Sequence, residues 1–390
     1  MADVLEIFPR TARRERKPLA EIVRNFTPNW FTVTMGTGGV ALALNQFPFA
    51  VAALHALATG LWLANIALFA VFVGLYAARW VIFPKEARRI FAHPVMAMFF
   101  GAVPMGLATI VNGFLTFGTP LIGGTAISIA HALWWVDVAM SLACGLVIPY
   151  FMFTRQPHSL EKVTAVWLIP VVAAEVAAAS GALLVPHLST SEGFAVLMLG
   201  YVLWAYSVPL AMSFLVLLVL RLALHKLPDR DMGASAWLAL GPIGTGALGL
   251  VLLGTDAPAV FAAQGLTGVG DVAFGLGVIG GTVLWGYGAW WLLLAVLKTV
   301  RYLREGLPFN LGWWAFTFPL AVYSLATLAL AHVTHFTLFT IESGILVTVL
   351  TMFWIVVTIG TAHGAWHGYL FVAPCLKGSN AATRLEVKSA

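Results

Sequence analysis

Trp237–Leu–Ala–Leu–Gly–Pro242 is an aromatic residue followed closely by a helix breaker, and this element recurs along the 390-residue chain. Related stretches are Phe100–Gly–Ala–Val–Pro104, Trp167–Leu–Ile–Pro170 and Trp313–Trp–Ala–Phe–Thr–Phe–Pro319, with Trp30–Phe–Thr–Val–Thr–Met–Gly36 nearest the N-terminus. The breakers Gly36, Pro104, Pro170, Pro242 and Pro319 are 68, 66, 72 and 77 residues apart. This spacing predicts five repeats of about 70 residues.

The composition is that of an integral membrane protein. Apolar residues make up 61% of the chain and charged residues 9%, with a mean hydropathy of +0.92, whereas soluble proteins have about a quarter of their residues charged. A helix of about 20 apolar residues crosses the hydrocarbon of a bilayer. Ten such runs are predicted, at about 28–47, 54–80, 94–117, 121–153, 163–185, 194–220, 234–254, 271–298, 309–331 and 343–373.

The 21 Lys and Arg residues occupy alternate gaps between these runs. Six lie in the N-terminal arm, four after the second run, two after the fourth, three each after the sixth and eighth, and three in the tail; the other gaps contain none. Positive residues are retained in the cytoplasm, so both termini are predicted to be cytoplasmic in a multi-pass cell-membrane protein. Because topology explains the net positive charge of the chain, no nucleic-acid partner is predicted. The same pattern leaves no Lys or Arg for the interior of the membrane-spanning part.

Each repeat is predicted to pair an inner broken helix with an outer helix. Proline removes a backbone hydrogen bond and clashes with the preceding turn, which a membrane helix tolerates where protein or water receives the freed carbonyl. Five kinked inner helices around an axis, with the even helices outside, satisfy this condition. The alternative is that these prolines and glycines only serve packing.

Four segments resemble the tellurite-resistance/dicarboxylate transporter family, which includes plant guard-cell slow anion channels, fungal malate permeases and fungal sulfite efflux pumps. They are Asn25–Phe–Thr–Pro–Asn–Trp–Phe–Thr–Val–Thr–Met–Gly–Thr–Gly38, His93–Pro–Val–Met–Ala–Met–Phe–Phe–Gly–Ala–Val–Pro–Met–Gly106, Leu133–Trp–Trp–Val–Asp137 and Trp313–Trp–Ala–Phe–Thr–Phe–Pro319. The first two look most like the sulfite-pump branch.

The resemblance implies an all-α membrane protein with ten transmembrane helices, arranged as five hairpins in quasi-fivefold symmetry around a central pore, and a homotrimer. It covers the transport domain, about 25–373, between a basic N-terminal arm (1–24) and a C-terminal tail (374–390). A phenylalanine gates the pore in this family. The motif maps that gate to Phe318, with Phe316 as the second candidate.

An anion that enters low dielectric needs dipoles in place of its water. With no Lys or Arg at depth, hydroxyls, backbone N–H groups and helix N-termini are the available donors. The predicted anion pathway therefore comprises the five breakers and the threonines near them, namely Gly36, Pro104, Pro170, Pro242, Pro319, Thr34, Thr37, Thr109, Thr245 and Thr317. As an alternative, each threonine hydroxyl bonds a carbonyl of its own helix.

Two carboxylic acids lie within the apolar runs, where ionisable residues are functional candidates. Glu175 belongs to the predicted pathway: it is either protonated by burial or paired, and it serves either proton coupling or the structure of the kink. Asp137 lies on an outer helix and is expected to anchor packing or a subunit interface.

The predicted function is transport of a small anion, with sulfite efflux as the leading substrate assignment. The alternative is proton-coupled transport of a C4-dicarboxylate such as malate, although a dianion would favour a fixed basic residue. No enzyme, cofactor or metal site is predicted, because the sequence has neither a zinc-type His–Glu helix motif nor a Gly–Lys–Ser/Thr nucleotide loop.

Overall fold

The computed structural model describes residues 17–376, and all regular structure in this range is helical. The distal N-terminal arm (1–16) and the tail from 377 lie outside the described residues. Ten helices form the framework: α1 (Phe31–Asn45), α2 (Leu54–Ile82), α3 (Ala102–Gly113), α4 (Gly124–Thr154), α5 (Ile169–Leu184), α6 (Thr190–His225), α7 (Leu240–Ala262), α8 (Thr267–Glu305), α9 (Phe318–Thr334) and α10 (Thr337–Trp366).

Within residues 17–376, nine helical segments are long and apolar enough to cross a membrane, which confirms the predicted all-helical membrane class. The first predicted run is the exception. It forms a 3-10 turn, Pro28–Trp30, followed by α1 of 15 residues. At about 1.5 Å per residue, α1 is roughly 22 Å long, shorter than the hydrocarbon thickness.

Burial alternates along the chain. The apolar segments that contain α3, α5, α7 and α9 are 72, 94, 78 and 78% buried, whereas α2, α4, α6, α8 and α10 are 17–39% buried. Residues 31–44 of α1 are all buried. The odd-numbered helices are therefore inner helices shielded by protein, and the even-numbered helices present apolar side chains outward.

The inner helices pack in a closed order. Helix α1 contacts α3, α3 contacts α5, α5 contacts α7, α7 contacts α9, and α9 returns to α1. Each outer helix packs against the inner helix that precedes it in the chain and against the next inner helix. Every outer helix thus bridges two neighbouring repeats.

A tryptophan on each outer helix donates a hydrogen bond to the next inner helix. The bonds run from Trp62 to Ile110 O (3.3 Å), Trp134 to Ala177 O (2.8 Å), Trp204 to Gly246 O (2.9 Å), Trp285 to Thr327 Oγ1 (3.0 Å) and Trp354 to Thr37 Oγ1 (3.1 Å). In hydrocarbon an indole N–H has no water to bond, so these contacts fix how each repeat docks on its neighbour.

The four prolines do not kink the inner helices, contrary to the sequence interpretation. Pro104, Pro170, Pro242 and Pro319 lie in the first turn of α3, α5, α7 and α9, directly after 3-10 segments, and Gly36 lies inside the uninterrupted α1. A first-turn proline lacks an N–H that would have no helical partner in any case. The four prolines therefore mark the beginnings of α3, α5, α7 and α9.

Small residues bring the inner helices close together. A Cβ added to Gly36 would collide with Thr317 Oγ1 and lie 2.7 Å from Trp314 Cε3, and one added to Gly106 would lie 2.7 Å from Thr34 Oγ1. Gly38 is similarly close to Thr109. Glycines and threonines near the breakers therefore form the contacts between α1 and its two inner neighbours.

Three basic residues are buried, which corrects the expectation that the interior has none. Arg79, Arg221 and Lys298 are 0, 5 and 8% exposed, near the C-terminal ends of α2, α6 and α8. The guanidinium of Arg79 donates to Phe26 O (2.7 Å). Long basic side chains can bury their stems among outer helices, so a position in a charged gap of the sequence does not place a residue in solvent.

The predicted boundary at residue 24 falls within structured chain. The short helix Leu19–Asn25 is held against the segment after α2 because Arg24 Nε and Nη2 donate to the two carboxylate oxygens of Glu86, at 2.7 and 2.8 Å. This ion pair lowers the pKa of Glu86 below its ordinary value. The last part of the predicted arm therefore belongs to the folded body.

The α1–α9 contact predicts that Gly36→Ala is destabilising, because the new methyl group overlaps Thr317 and Trp314 and overpacking costs about 1–3 kcal/mol. Gly60→Ala is the matched control, since nothing lies within 4 Å of its added Cβ and alanine is the better helix former. Thermal unfolding in detergent should give a lower Tm for Gly36→Ala and an equal or higher Tm for Gly60→Ala. Equal Tm values for Gly36→Ala and wild type would contradict this account of the contact.

Candidate functional site

A cavity of about 380 Å³, here called the vestibule, opens where the inner helices begin. Its polar lining comes from Asn29, Thr32, Asp231, Ser235 and Asn310, and the rest of the lining is mainly apolar. No Lys or Arg of the described chain lines it, and Asp231 is its single carboxylate. The vestibule therefore offers amide and hydroxyl groups to a ligand, without a fixed positive charge.

Beyond the vestibule the space narrows to a cavity of about 20 Å³, here called the constriction, to which all five inner repeats contribute. Its lining residues are Met35, Met105, Leu168, Ile169, Val172, Leu238, Gly241, Pro242, Phe318 and Pro319. Met35, Ile169 and Leu238 also line the vestibule, so the two cavities adjoin. A space of this size holds about one water molecule, and none of its lining side chains is polar.

The constriction lies at the level of the predicted breakers, but their chain neighbours supply much of its wall. Met35 precedes Gly36, Met105 follows Pro104, and Ile169 precedes Pro170. Successive helical residues point about 100° apart, so a breaker and its neighbour face different directions. Of the five predicted breakers only Pro242 and Pro319 line the constriction; Gly36, Pro104 and Pro170 do not.

Phe318 and Phe316 occupy different environments. Phe318 lines the constriction and is 3% exposed. Phe316 lies in an aromatic cluster, with ring centroids 5.6 Å from Trp237, 5.6 Å from Trp313 and 5.2 Å from Phe353. The geometry therefore favours Phe318 over Phe316 as an obstruction, while the gating role itself stays a prediction.

The predicted threonines line neither cavity. The hydroxyls of Thr34, Thr109 and Thr317 donate to carbonyls three residues earlier, at 2.7–2.8 Å. Thr37 accepts the indole N–H of Trp354, and the buried Thr245 hydroxyl has no partner among the described residues. Most of these hydroxyls are thus engaged in contacts of the helices, as the sequence alternative proposed, and their role in anion passage stays a prediction.

Glu175 and Asp137 are both fully buried, and none of their carboxyl oxygens has a hydrogen-bond partner within residues 17–376. Glu175 lies one turn beyond Val172, which lines the constriction, but Glu175 itself does not line it. Asp137 lies inside the protomer, one turn from Trp134 on α4. A subunit-interface position for Asp137 is therefore not supported, because its side chain is already covered within one chain.

The entrance to α3 is ordered by His93. Its Nδ1 accepts the backbone N–H groups of Val95 and Met96, at 3.2 and 3.1 Å, and both of these residues line the vestibule. Burial lowers the pKa of His93, so the ring is neutral at pH 7 and its Nδ1 lone pair is available as an acceptor. His93 holds the vestibule wall in place and adds no positive charge to it.

An axial cavity that narrows between buried helices, in a protein whose outer helices are apolar, is the arrangement of a channel or transporter. Residues 25–362 match the SLAC1 family, described as voltage-dependent anion channels. The chain belongs to this family. Its members conduct or transport anions, and the resemblance inferred from the motifs is confirmed.

Among curated relatives, the sulfite efflux pump SSU1 of Arthroderma benhamiae is 36% identical over 352 residues, covering 90% of this chain and 93% of the relative. An uncharacterized transporter of Methanocaldococcus jannaschii is 27% identical over 358 residues, covering 90% and 96%. The malic acid transport protein of Schizosaccharomyces pombe is 23% identical over 362 residues, covering 90% and 81%. The similarity therefore extends through the whole helical framework.

Sequence reasoning missed the vestibule and the tryptophan contacts. Asn29, Ser235 and Asn310 are isolated polar residues at the starts of predicted apolar runs, and no local pattern distinguishes them from other polar residues at helix ends. The outer tryptophans did carry a signal, because Trp62, Trp134, Trp204, Trp285 and Trp354 are 72, 70, 81 and 69 residues apart. The same search for a period of about 70 residues in the even runs would have found them.

Proposed function

We propose that the vestibule and the constriction are parts of one anion pathway along the axis of the inner helices. In this proposal α1–α10 make ten crossings as five hairpins in quasi-fivefold order around a central pore. The closed packing order of the inner helices supports it, as do the five outer tryptophans, each of which bonds the next inner helix. The cavity to which all five inner repeats contribute carries the proposal.

The pathway is proposed to be closed at the constriction by Phe318. A hydrated anion is far larger than the roughly one-water space there, and the apolar wall offers no donor to replace lost water. Such constrictions gate by excluding water. Opening then requires the Phe318 ring to leave the axis, after which the wall binds the ion weakly and allows it to pass.

The proposed substrate is a small inorganic anion, and the proposed use is sulfite efflux. Two observations support this choice: none of the described residues that line the vestibule is a Lys or Arg that would hold a dicarboxylate, and relatives at 36% identity are sulfite efflux pumps. The protein is proposed to lie in the cell membrane with both termini cytoplasmic, to contact lipid through its outer helices, and to form a homotrimer. The vestibule then faces the cytoplasm.

The second candidate function is proton-coupled transport of a C4-dicarboxylate such as malate. Glu175 favours it, because a buried and unpartnered carboxyl one turn beyond the constriction is placed to exchange a proton with the pathway. The malic acid transport relative adds support, although at 23% identity this support is weak. A neutral Glu175 also suits simple conduction, since it would not repel an anion.

Phe318→Ala is expected to raise basal sulfite flux several-fold in proteoliposomes, because removing the ring widens the constriction. Phe316→Ala is the matched control: it leaves the constriction wall intact and should lower Tm without raising flux, as expected for a buried phenylalanine removed from a packed cluster. Unchanged flux in a correctly folded Phe318→Ala protein, or an equal rise in Phe316→Ala, would reject Phe318 as the gate.

Reversal potentials in planar bilayers distinguish the two functions. Under gradients of sulfite, nitrate, chloride and malate, a channel predicts potentials that follow the permeant anion and do not move when a pH gradient is added, in wild type and in Glu175→Gln alike. Coupling predicts a pH-dependent shift that is lost in Glu175→Gln. That second pattern, with malate as the preferred anion, would replace the sulfite proposal with the carrier.

A further inference from the structure

A second group of polar residues lies away from the axis, between the outer helices α6 and α8. Arg221 and Lys298 line a small cavity there, together with Ser235, Tyr302 and the segment around Ala165. Both basic side chains are at least nine-tenths buried, with 5 and 8% of their surface exposed. The cavity lies toward the end of the molecule where the inner helices begin.

The two cations have no carboxylate partner within the described chain. Arg221 donates from Nε to Glu161 O (3.0 Å) and from Nη1 to Lys226 O (2.5 Å). The ammonium of Lys298 has one described contact, with the Trp291 ring, at 5.8 Å from Nζ to the ring centroid. A buried charge is costly unless it is paired, and a cation–π contact at this distance replaces only part of its hydration.

The neighbouring hydroxyls do not supply the missing partner. Tyr302 OH donates to Pro228 O (2.6 Å), and Ser235 Oγ donates to Met232 O (2.6 Å). The cavity, of about 20 Å³, has room for little more than a water molecule. It shares Leu222, Pro228 and Tyr302 with a larger surface groove of about 780 Å³, so an oxyanion would lie mainly in the groove and reach the two cations through the mouth of the cavity.

We propose that Arg221 and Lys298 bind a compact oxyanion group, as a second anion site distinct from the axial pathway. A guanidinium and an ammonium on adjacent helices are the donors that such groups select. The oxyanion comes either from a free inorganic anion or from the phosphate of a lipid headgroup. The groove itself carries both signs: Asp229 and Arg230 line it, and Glu305 is paired with Arg301 at 2.9 Å.

The site lies directly behind the vestibule wall. Ser235 lines both cavities, and its 3-10 segment, Arg230–Ala239, also places Asp231 and Leu238 in the vestibule. An oxyanion between Arg221 and Lys298 would neutralise two like charges beside this segment and hold α6 and α8 against it. Occupancy of the outer site would therefore fix one side of the vestibule.

Thermal unfolding of the full chain in nanodiscs tests the site independently of transport. In phosphatidylcholine discs, replacing gluconate in the buffer with sulfate should raise the Tm of the wild-type protein by about 3 °C if the site binds a free anion. With gluconate kept in the buffer, adding phosphatidylglycerol to the discs should raise the Tm if the site binds a lipid headgroup. Lys298→Met should abolish this rise in Tm. In gluconate its Tm should be at least that of the wild type, because the variant has lost a charge without a carboxylate partner. Arg304→Gln, an exposed change on the same helix, should respond as wild type does.

A response to sulfate assigns a free anion, and a response to phosphatidylglycerol alone assigns a headgroup. No wild-type response to either, or an equal response in Lys298→Met, overturns the proposal. If Lys298→Met does not fold, Arg221→Gln replaces it, and it too should lose the rise in Tm that sulfate or phosphatidylglycerol gives in the wild type. A wild-type crystal soaked in selenate gives a further check for a free anion: the expected anomalous peak lies beside Lys298 Nζ.

Discussion

A polar group that enters the hydrocarbon finds no water there and is costly without a partner inside the protein, and many of the contacts between helices follow from this constraint. The outer indole N–H groups reach across to the next inner helix because no water is available to them. The threonine hydroxyls near the breakers are mostly taken up in the same way, by carbonyls of their own turns or by Trp354. What remains at the constriction is a space of about 20 Å³ to whose wall the described residues contribute no polar side chain.

The class of protein, the alternation of inner and outer helices and the repeat were predictable, because they rest on run length, composition and period. The site was only partly predictable. The breakers marked the level of the constriction, yet Met35 and Met105 line it while Gly36 and Pro104 do not. Which neighbour faces the axis depends on helix rotation, and rotation is set by contacts such as Gly36 against Thr317, which join residues far apart in the chain.

The burial of three basic residues could not be predicted from their positions in the gaps between the apolar runs. Basic residues that the topology rule assigns to loops include Arg79, Arg221 and Lys298, which fold back among the outer helices and are buried there. Within residues 17–376, no Lys or Arg lines the vestibule or the constriction. The buried cations are thus carried by the outer helices, away from the lining of the two cavities.

Cysteine modification distinguishes anion passage along the axis from passage by any other route. In a Cys144→Ala, Cys375→Ala background, Ala315→Cys places a thiol in the vestibule lining, whereas Val81→Cys places one on the outer surface, where Val81 is 80% exposed. A negatively charged maleimide, removed before sulfite is added, should block sulfite flux through Ala315→Cys and should leave Val81→Cys unaffected. Full flux through a completely modified Ala315→Cys protein would contradict an axial pathway.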